Sequence, residues 1–267
     1  MNKLILALLL LPTLSFAITL NAKEIMQKNE QARQVNELLT KAKISTGVEN
    51  SKDEKVKDFT FWRKIQKDNV HNSTLTRFHS PAEVRNEGIL ILENATGRND
   101  VLLYLPNFKK IRRVESQQQS GSFMGSVFSY SDIATPHVDD YQYKILKEEK
   151  CPTTEPTQNM CSVIESMPAN EDVKERTNYS RTVLWIRQDN FMMAKSDYYG
   201  LDGELIKKLD ASQTILVDPK NKKWMSKRIH VLNLKTHEYT TLEFSDIQVN
   251  SGLSEAIFTQ QNLQKVN

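Results

Sequence analysis

The chain has no apolar run long enough to cross a bilayer, which takes roughly 20 residues in a helix. Its longest, Leu4 to Leu11, holds eight. The flanks of that run read as an export signal. Lys3 precedes it, Pro12 breaks it, and Ser15-Phe16-Ala17 offers small residues at the −3 and −1 positions of a cleavage site. Residues 1–17 are therefore expected to be a signal peptide and residues 18–267 a single soluble periplasmic domain. Ile18, not cysteine, follows the cut, so this signal does not make the protein a lipoprotein. Charge of one sign is also lacking. Lys and Arg number 36 against 33 Asp and Glu, whereas nucleic-acid binding favours a concentrated basic stripe.

Cysteine is scarce, with Cys151 and Cys161 the complete set. In an oxidising compartment an even pair at short spacing reads as a disulfide, with two free thiols as the alternative. Catalytic and metal-binding patterns are missing. His71, His79, His137, His230 and His237 fall in no metal-ligand spacing, though His230 and His237 flank an expected hairpin across which they could meet. There is no nucleophile elbow, Walker loop or dinucleotide fingerprint. Asp139-Asp140 and Glu148-Glu149 are adjacent, and neighbouring strand residues point to opposite faces. No enzyme activity, metal or cofactor is expected.

What is present begins with a helical stripe. Ile25, Val35, Leu38 and Leu39 predict a helix from Ala22 to about Lys43, capped by Asn21 and ended near Gly47, then a loop over 45–57. From Phe59 the pattern becomes short β-branched and aromatic runs. They are Phe59–Ile65, Thr74–His79, Gly88–Glu93, Val101–Leu105, Lys110–Val114, Tyr141–Lys147, Ser162–Met167, Thr182–Arg187, Phe191–Lys195, Leu205–Leu209, Thr214–Val217, Trp224–Asn233 and Glu238–Phe244. Turn residues separate them: Asn94 to Gly97, Asp189-Asn190, Gly200 to Gly203, Asp218-Pro219 and Asn233 to His237. The reading is a mostly β antiparallel meander, as a curved sheet, barrel or half-barrel, closed by a short helix at Ser254 to Leu263.

Three runs are apolar on both faces: Ile89 to Leu92, Val101 to Leu105, and Val183 to Ile186. Either both faces are covered or one lines an apolar cavity. Leu103, Leu105, Trp185, Ile186 and Met192 are the candidate lining. Residues 115–135 set Phe123, Met124, Phe128 and Tyr130 among glycines and serines, which suits a lid over such a cavity or a long connection pinned by aromatic anchors. Lys109, Lys110, Arg112 and Arg113 form the one strong charge cluster. In strand geometry Lys110 and Arg112 share a face opposite Lys109, Ile111 and Arg113. The cluster reads as a charge-blunted sheet edge or as a docking patch for anionic lipid or an acidic partner.

Tyr104-Leu105-Pro106-Asn107-Phe108-Lys109-Lys110-Ile111-Arg112-Arg113, followed by Gly121-Ser122-Phe123-Met124-Gly125-Ser126-Val127-Phe128-Ser129-Tyr130-Ser131-Asp132, resembles the outer-membrane lipoprotein-sorting proteins, periplasmic relatives of the lipoprotein carrier LolA. Tyr141-Gln142-Tyr143, Trp185-Ile186, Asp197 to Gly200 and Phe258-Thr259 extend the resemblance over nearly all of residues 18–267. Val127 and Ser131 stand where that group favours acids, and Gln261 where it favours a base. The resemblance implies a strongly curved antiparallel sheet forming an incomplete barrel closed by helices, as in LolA and LolB. It also implies an apolar face for lipid or lipoprotein acyl chains, and service beside inner-membrane exporters of the resistance-nodulation-division (RND) class. The rival is a periplasmic adaptor or sensor that binds protein on the same scaffold, without lipid cargo.

Overall fold

The computed structural model describes residues 20–94, 99–115, 118–134, 137–152 and 159–265. The expected signal peptide 1–17, the turn residues Ala95, Thr96 and Gly97, and Gln117 lie outside the described residues. Helix α1, Ala22–Arg33, opens the described chain. Asn21 caps it reciprocally: its side chain accepts from the Glu24 N–H at 2.9 Å, and Glu24 accepts from the Asn21 N–H at 2.8 Å.

The helix does not reach Lys43, and the expectation is corrected there. After Gln34 the chain extends into strand β1, Glu37–Val48. Val35, Leu38 and Leu39 satisfy helical spacing, but Leu38, Thr40, Ala42 and Ile44 are buried at every second position. Two of those are small or polar, so the period of two is faint to a hydropathy reading. The expected loop 45–57 is corrected too, because β1 runs to Val48 and β2, Glu54–Ile65, follows a turn in which Asn50 has φ 64°. Charged, exposed residues at the start of β2 conceal its strand character.

The chain continues through β3 (Asn72–Ser80), β4 (Gly88–Leu92), β5 (Asp100–Leu105) and β6 (Lys110–Arg113). Helix α2 (Tyr130–Ile133) precedes β7 (Tyr141–Lys150), β8 (Met160–Pro168), α3 (Glu171–Thr177), β9 (Arg181–Arg187) and β10 (Met193–Tyr199). Then come β11 (Leu205–Asp218), β12 (Lys223–Asn233), β13 (Glu238–Val249) and α4 (Gln260–Leu263). The two expected runs at 205–209 and 214–217 are one strand. Gln213 takes φ 55° within it, yet the ladder to β12 keeps its register from Ser212 opposite Arg228 to Thr214 opposite Ser226, and the bulge comes later, between Leu216 and Asp218. The expected closing helix is two short turns, Glu255–Phe258 and α4.

All of these strands form one antiparallel, curved open sheet in the order β6-β5-β4-β3-β2-β1-β13-β12-β11-β10-β9-β8-β7. Two meanders are fused where β1 pairs with β13. The free edges are β6 and β7, which are consecutive in the chain, so the segment between them must travel from one edge to the other. It crosses the inner face, where Phe123 and Phe128 pack with Ala42, Ile44, Phe59, Leu209 and Leu242.

Both faces of the sheet carry apolar clusters, which explains the runs without alternation. On β4 and β5, Ile89, Ile91 and Val101 face the inner core, while Leu90, Leu102 and Tyr104 pack outward against Leu253, Phe258 and Leu263. On β8 and β9, Ile164 and Ile186 lie inward under Ala22 and Ile25 of α1. Val163, Val183 and Trp185 form an outer cluster with Cys151 and Cys161.

Those cysteines are joined as a disulfide, with a sequence separation of 10. Replacing both with serine is expected to lower the unfolding free energy by about 3 kcal/mol, the chain-entropy value for so short a loop. A urea midpoint that does not move would show that the β7–β8 pairing holds this edge without the link.

Candidate functional site

Between the inner sheet face, α1 and the crossing segment lies a cavity of about 400 Å³. Small-molecule sites commonly occupy about 300–1,000 Å³. Its floor is made by alternate strand residues: Ile44 of β1, Phe59 and Phe61 of β2, Leu209 and Ala211 of β11, Leu242 and Phe244 of β13. Spacing by two puts each pair on one face. The cover is a small loop in which Ser122 bridges Ser129 and the Phe123 N–H donates to the Phe128 carbonyl at 2.7 Å. Phe123 and Phe128 both line the cavity and are 2% and 4% exposed. Met124 and Gly125 make the tip with φ 52° and 71°.

Three polar ties seat the cover. Lys57 Nζ of β2 donates to the Met124 carbonyl at 2.6 Å. The Val127 N–H donates to Thr240 Oγ1 of β13 at 2.9 Å. The third tie is a buried network around Asp132. Ser129 caps α2, and its N–H donates to the Asp132 carboxylate at 2.8 Å. Lys207 Nζ of β11 meets the same carboxylate at 2.9 Å, with both side chains about nine-tenths buried. The Tyr179 hydroxyl donates to Asp132 at 3.1 Å and accepts from Lys207 at 2.6 Å. Burial, then the Asp132 charge, pushes the Tyr179 phenol well above its ordinary range.

The cavity has a polar end. Arg33, at the end of α1, and Arg63, on β2, both line it beside Met26, Val35 and Leu38. Burial lowers the Arg63 guanidinium to about 10; the charge of Arg33 adds to this and Glu93 opposes it. Burial likewise lowers Arg33, against the opposing fields of Glu30 and Glu93. Tyr141 and Tyr143 of β7 line the same cavity, and burial raises both phenols, that of Tyr141 to about 12. A second, polar hollow of about 630 Å³ adjoins it across Val138, with Glu30, His71, His137, Asp139 and Asp140 on its walls. Among the described residues no three His, Cys, Asp or Glu side chains stand together as a metal site requires.

Of the candidate lining and cover residues, Phe123, Phe128 and Met192 reach the cavity. Met124 contributes its carbonyl tie, and Tyr130 packs edge-on against Phe123 with ring centroids 5.6 Å apart. Leu103 packs against the inner core, and Leu105 is half-buried at the end of β5. Ile186 lies inward but beneath α1. Trp185 is on the other side of the sheet. Its indole N–H donates to Glu149 at 2.7 Å, and Lys195 Nζ sits 4.2 Å from its ring centroid. On β9 it is Leu184, Thr182 and Arg181 that line the cavity.

The basic cluster occupies the edge strand β6 and the turn before it. Lys109 is left-handed at φ 49°, Lys110 and Arg112 are exposed, and Ile111 packs outward against the C-terminal cluster. Arg113 is paired with Asp100, and Arg112 donates to Gln118 at 3.3 Å. Phe108, 70% exposed, stands in the adjoining turn. His230 and His237 are engaged separately, with Thr241 and Glu49.

Comparison with known proteins accords with this architecture. The family model described as "-like: Uncharacterized protein" matches residues 71–265. The chain belongs to that family. Among solved structures, an outer membrane lipoprotein-sorting protein domain from Vibrio parahaemolyticus is similar at TM-score 0.81 and 24% identity, covering 91% of this chain and 98% of its own. A DUF1329 family protein from Desulfovibrio piger gives 0.82 and 25%, covering 90% and 97%. A LolA superfamily protein from Nitrosomonas europaea gives 0.68 and 22%, covering 91% and 100%. The fold is therefore LolA-like. No curated protein matches the chain, and no helix among its described residues is long and apolar enough to cross a membrane.

Proposed function

We propose that the protein is a periplasmic carrier. It takes an acyl chain of a lipid or lipoprotein into the cavity under Phe123 and Phe128, and passes it between an inner-membrane RND-type exporter and the outer membrane. The observation that carries the reading is the cavity of about 400 Å³ with an aromatic and aliphatic floor. Protein interiors are close-packed and leave few voids larger than a water molecule, so the space calls for an occupant. An acyl chain gains about 0.8 kcal/mol for each methylene it buries, and holding it needs no catalytic group. The similarity to the lipoprotein-sorting protein domain from Vibrio and to the LolA superfamily protein from Nitrosomonas supports the same reading.

Delipidated protein should bind an acyl-chain fluorophore at near-unit stoichiometry, and fatty acid should displace it. Lipid should also co-purify with protein taken from its native periplasm. If neither occurs, the carrier reading falls and a protein-binding adaptor takes its place. On the carrier reading the exposed face of β6 docks on anionic membrane or on an acidic partner. Lys110→Gln with Arg112→Gln is then expected to leave folding intact and weaken sedimentation with anionic vesicles, most at low salt. Wild-type protein that shows no salt-dependent vesicle binding would reduce the cluster to a charge-blunted edge.

A further inference from the structure

We infer that the polar end of the cavity selects a lipid with an anionic head, a carboxylate or phosphate, seated between Arg33 and Arg63. The inference rests on the carrier reading and narrows its cargo. Arg63 Nη2 donates to the Arg33 carbonyl at 3.4 Å, which brings the last turn of α1 and the end of β2 together at one rim of the cavity. Both residues line it, and the charge of Arg33 adds to the cost of keeping Arg63 charged. An anion seated beside Arg63 would offset that repulsion.

The surroundings leave room for that anion. Arg63 Nε is buried and has no hydrogen-bond partner among the described residues. Buried guanidinium donors are normally satisfied, so an orphaned one at a cavity wall calls for an explanation. Glu93 acts on both arginines and Glu30 on Arg33, yet neither bonds the Arg63 Nε; Glu93 Oε2 accepts from the backbone N–H and the side-chain amide of Asn72, at 2.7 and 3.0 Å. The acid deeper in the cavity, Asp132, is neutralised by Lys207. From the arginines the wall turns apolar through Val35, Leu38 and Phe61. An amphiphile entering with its head at the rim would lay its chain over that floor. A guanidinium presents planar donors that match carboxylate and phosphate oxygens. A neutral acylglycerol head, such as an acylated protein carries, offers no charge to this pair.

Displacement of an acyl-chain fluorophore by single-chain amphiphiles tests this. Palmitate carries a carboxylate, lysophosphatidylglycerol a phosphate, and monopalmitoylglycerol no charge. Wild-type protein should favour at least one anionic amphiphile over the neutral one by about tenfold, the worth of one charge-assisted hydrogen bond. Arg63→Gln should erase that preference by weakening the anionic arm alone, with the neutral arm changed by less than about twofold, and Arg63→Lys should restore part of it. Arg33→Gln supplies the same test should Arg63→Gln fail to fold by circular dichroism. Equal affinity for charged and neutral heads, or equal weakening of all three in the variants, would overturn the inference while leaving the carrier reading standing. Inorganic phosphate that displaces the fluorophore by itself would overturn it as well, by assigning the arginines to a free anion. If none of the amphiphiles binds, the carrier reading fails first.

Discussion

Asp132→Ala is expected to lower the unfolding free energy by about 3–5 kcal/mol, the usual cost of stripping one partner from a buried ion pair. Lys207 Nζ would remain desolvated with the Tyr179 hydroxyl as its remaining hydrogen-bond partner here. The N-terminus of α2 would also lose the acceptor of its Ser129 N–H bond. Urea unfolding gives the total, and native-state hydrogen exchange shows where it falls. Amides of 121–134 should exchange faster than those of β1 and β13. Asp132→Leu with Lys207→Met should recover much of the loss, because apolar groups of similar volume can replace such a pair at little cost. A single variant that unfolds at the wild-type midpoint would mean that the network does not seat the cover.

Phe244→Asp should abolish acyl-chain uptake, with affinity falling at least about a hundredfold, since it plants a charge in the aromatic and aliphatic floor where the chain would lie. Phe244 lines the cavity from β13, while the next residue, Ser245, is exposed on the other side of the strand. Ser245→Asp should therefore bind the fluorophore as the wild type does. Circular dichroism on both variants separates lost binding from lost fold. Equal uptake by the pair would place the chain somewhere other than this cavity.

Most strands from β3 to β13 were legible because β-branched and aromatic runs are separated by turn residues with defined roles, although β11 read as two runs and β10 lies two to four residues later than expected. Gly203 takes φ 82°, and Asn233 Oδ1 accepts from the N–H groups of Lys235 and Thr236. β1 was not legible, because Leu38 and Leu39 look the same at helical and strand spacing, while Thr40 and Ala42 hide the alternation. That error put Arg33 in the middle of a helix instead of at its last turn, facing Arg63. In the cavity, Phe123 and Phe128 stood out as bulky residues in a glycine- and serine-rich stretch. Strand direction did not, because Leu184 and Trp185 are both apolar and a disulfide cluster on the outer face disguises which one points in. The Asp132–Lys207 pair spans 75 residues, and one sequence contains no signal for a contact so remote, although Asp132 closes the motif that carried the resemblance.

The junction of β1 with β13 ties folding to completion of the chain. Leu38 lies opposite Val249 across it, a separation that makes this pairing slow and late among the contacts of the sheet. A chain that emerges N-terminus first must hold the β13 side of β1 open until its final strands arrive, an exposed edge of the kind that recruits foreign strands. Thr240, which receives the Val127 tie, arrives with those same strands. The cover therefore has nowhere to settle on a half-emerged chain, and the cavity cannot close before the last strands arrive.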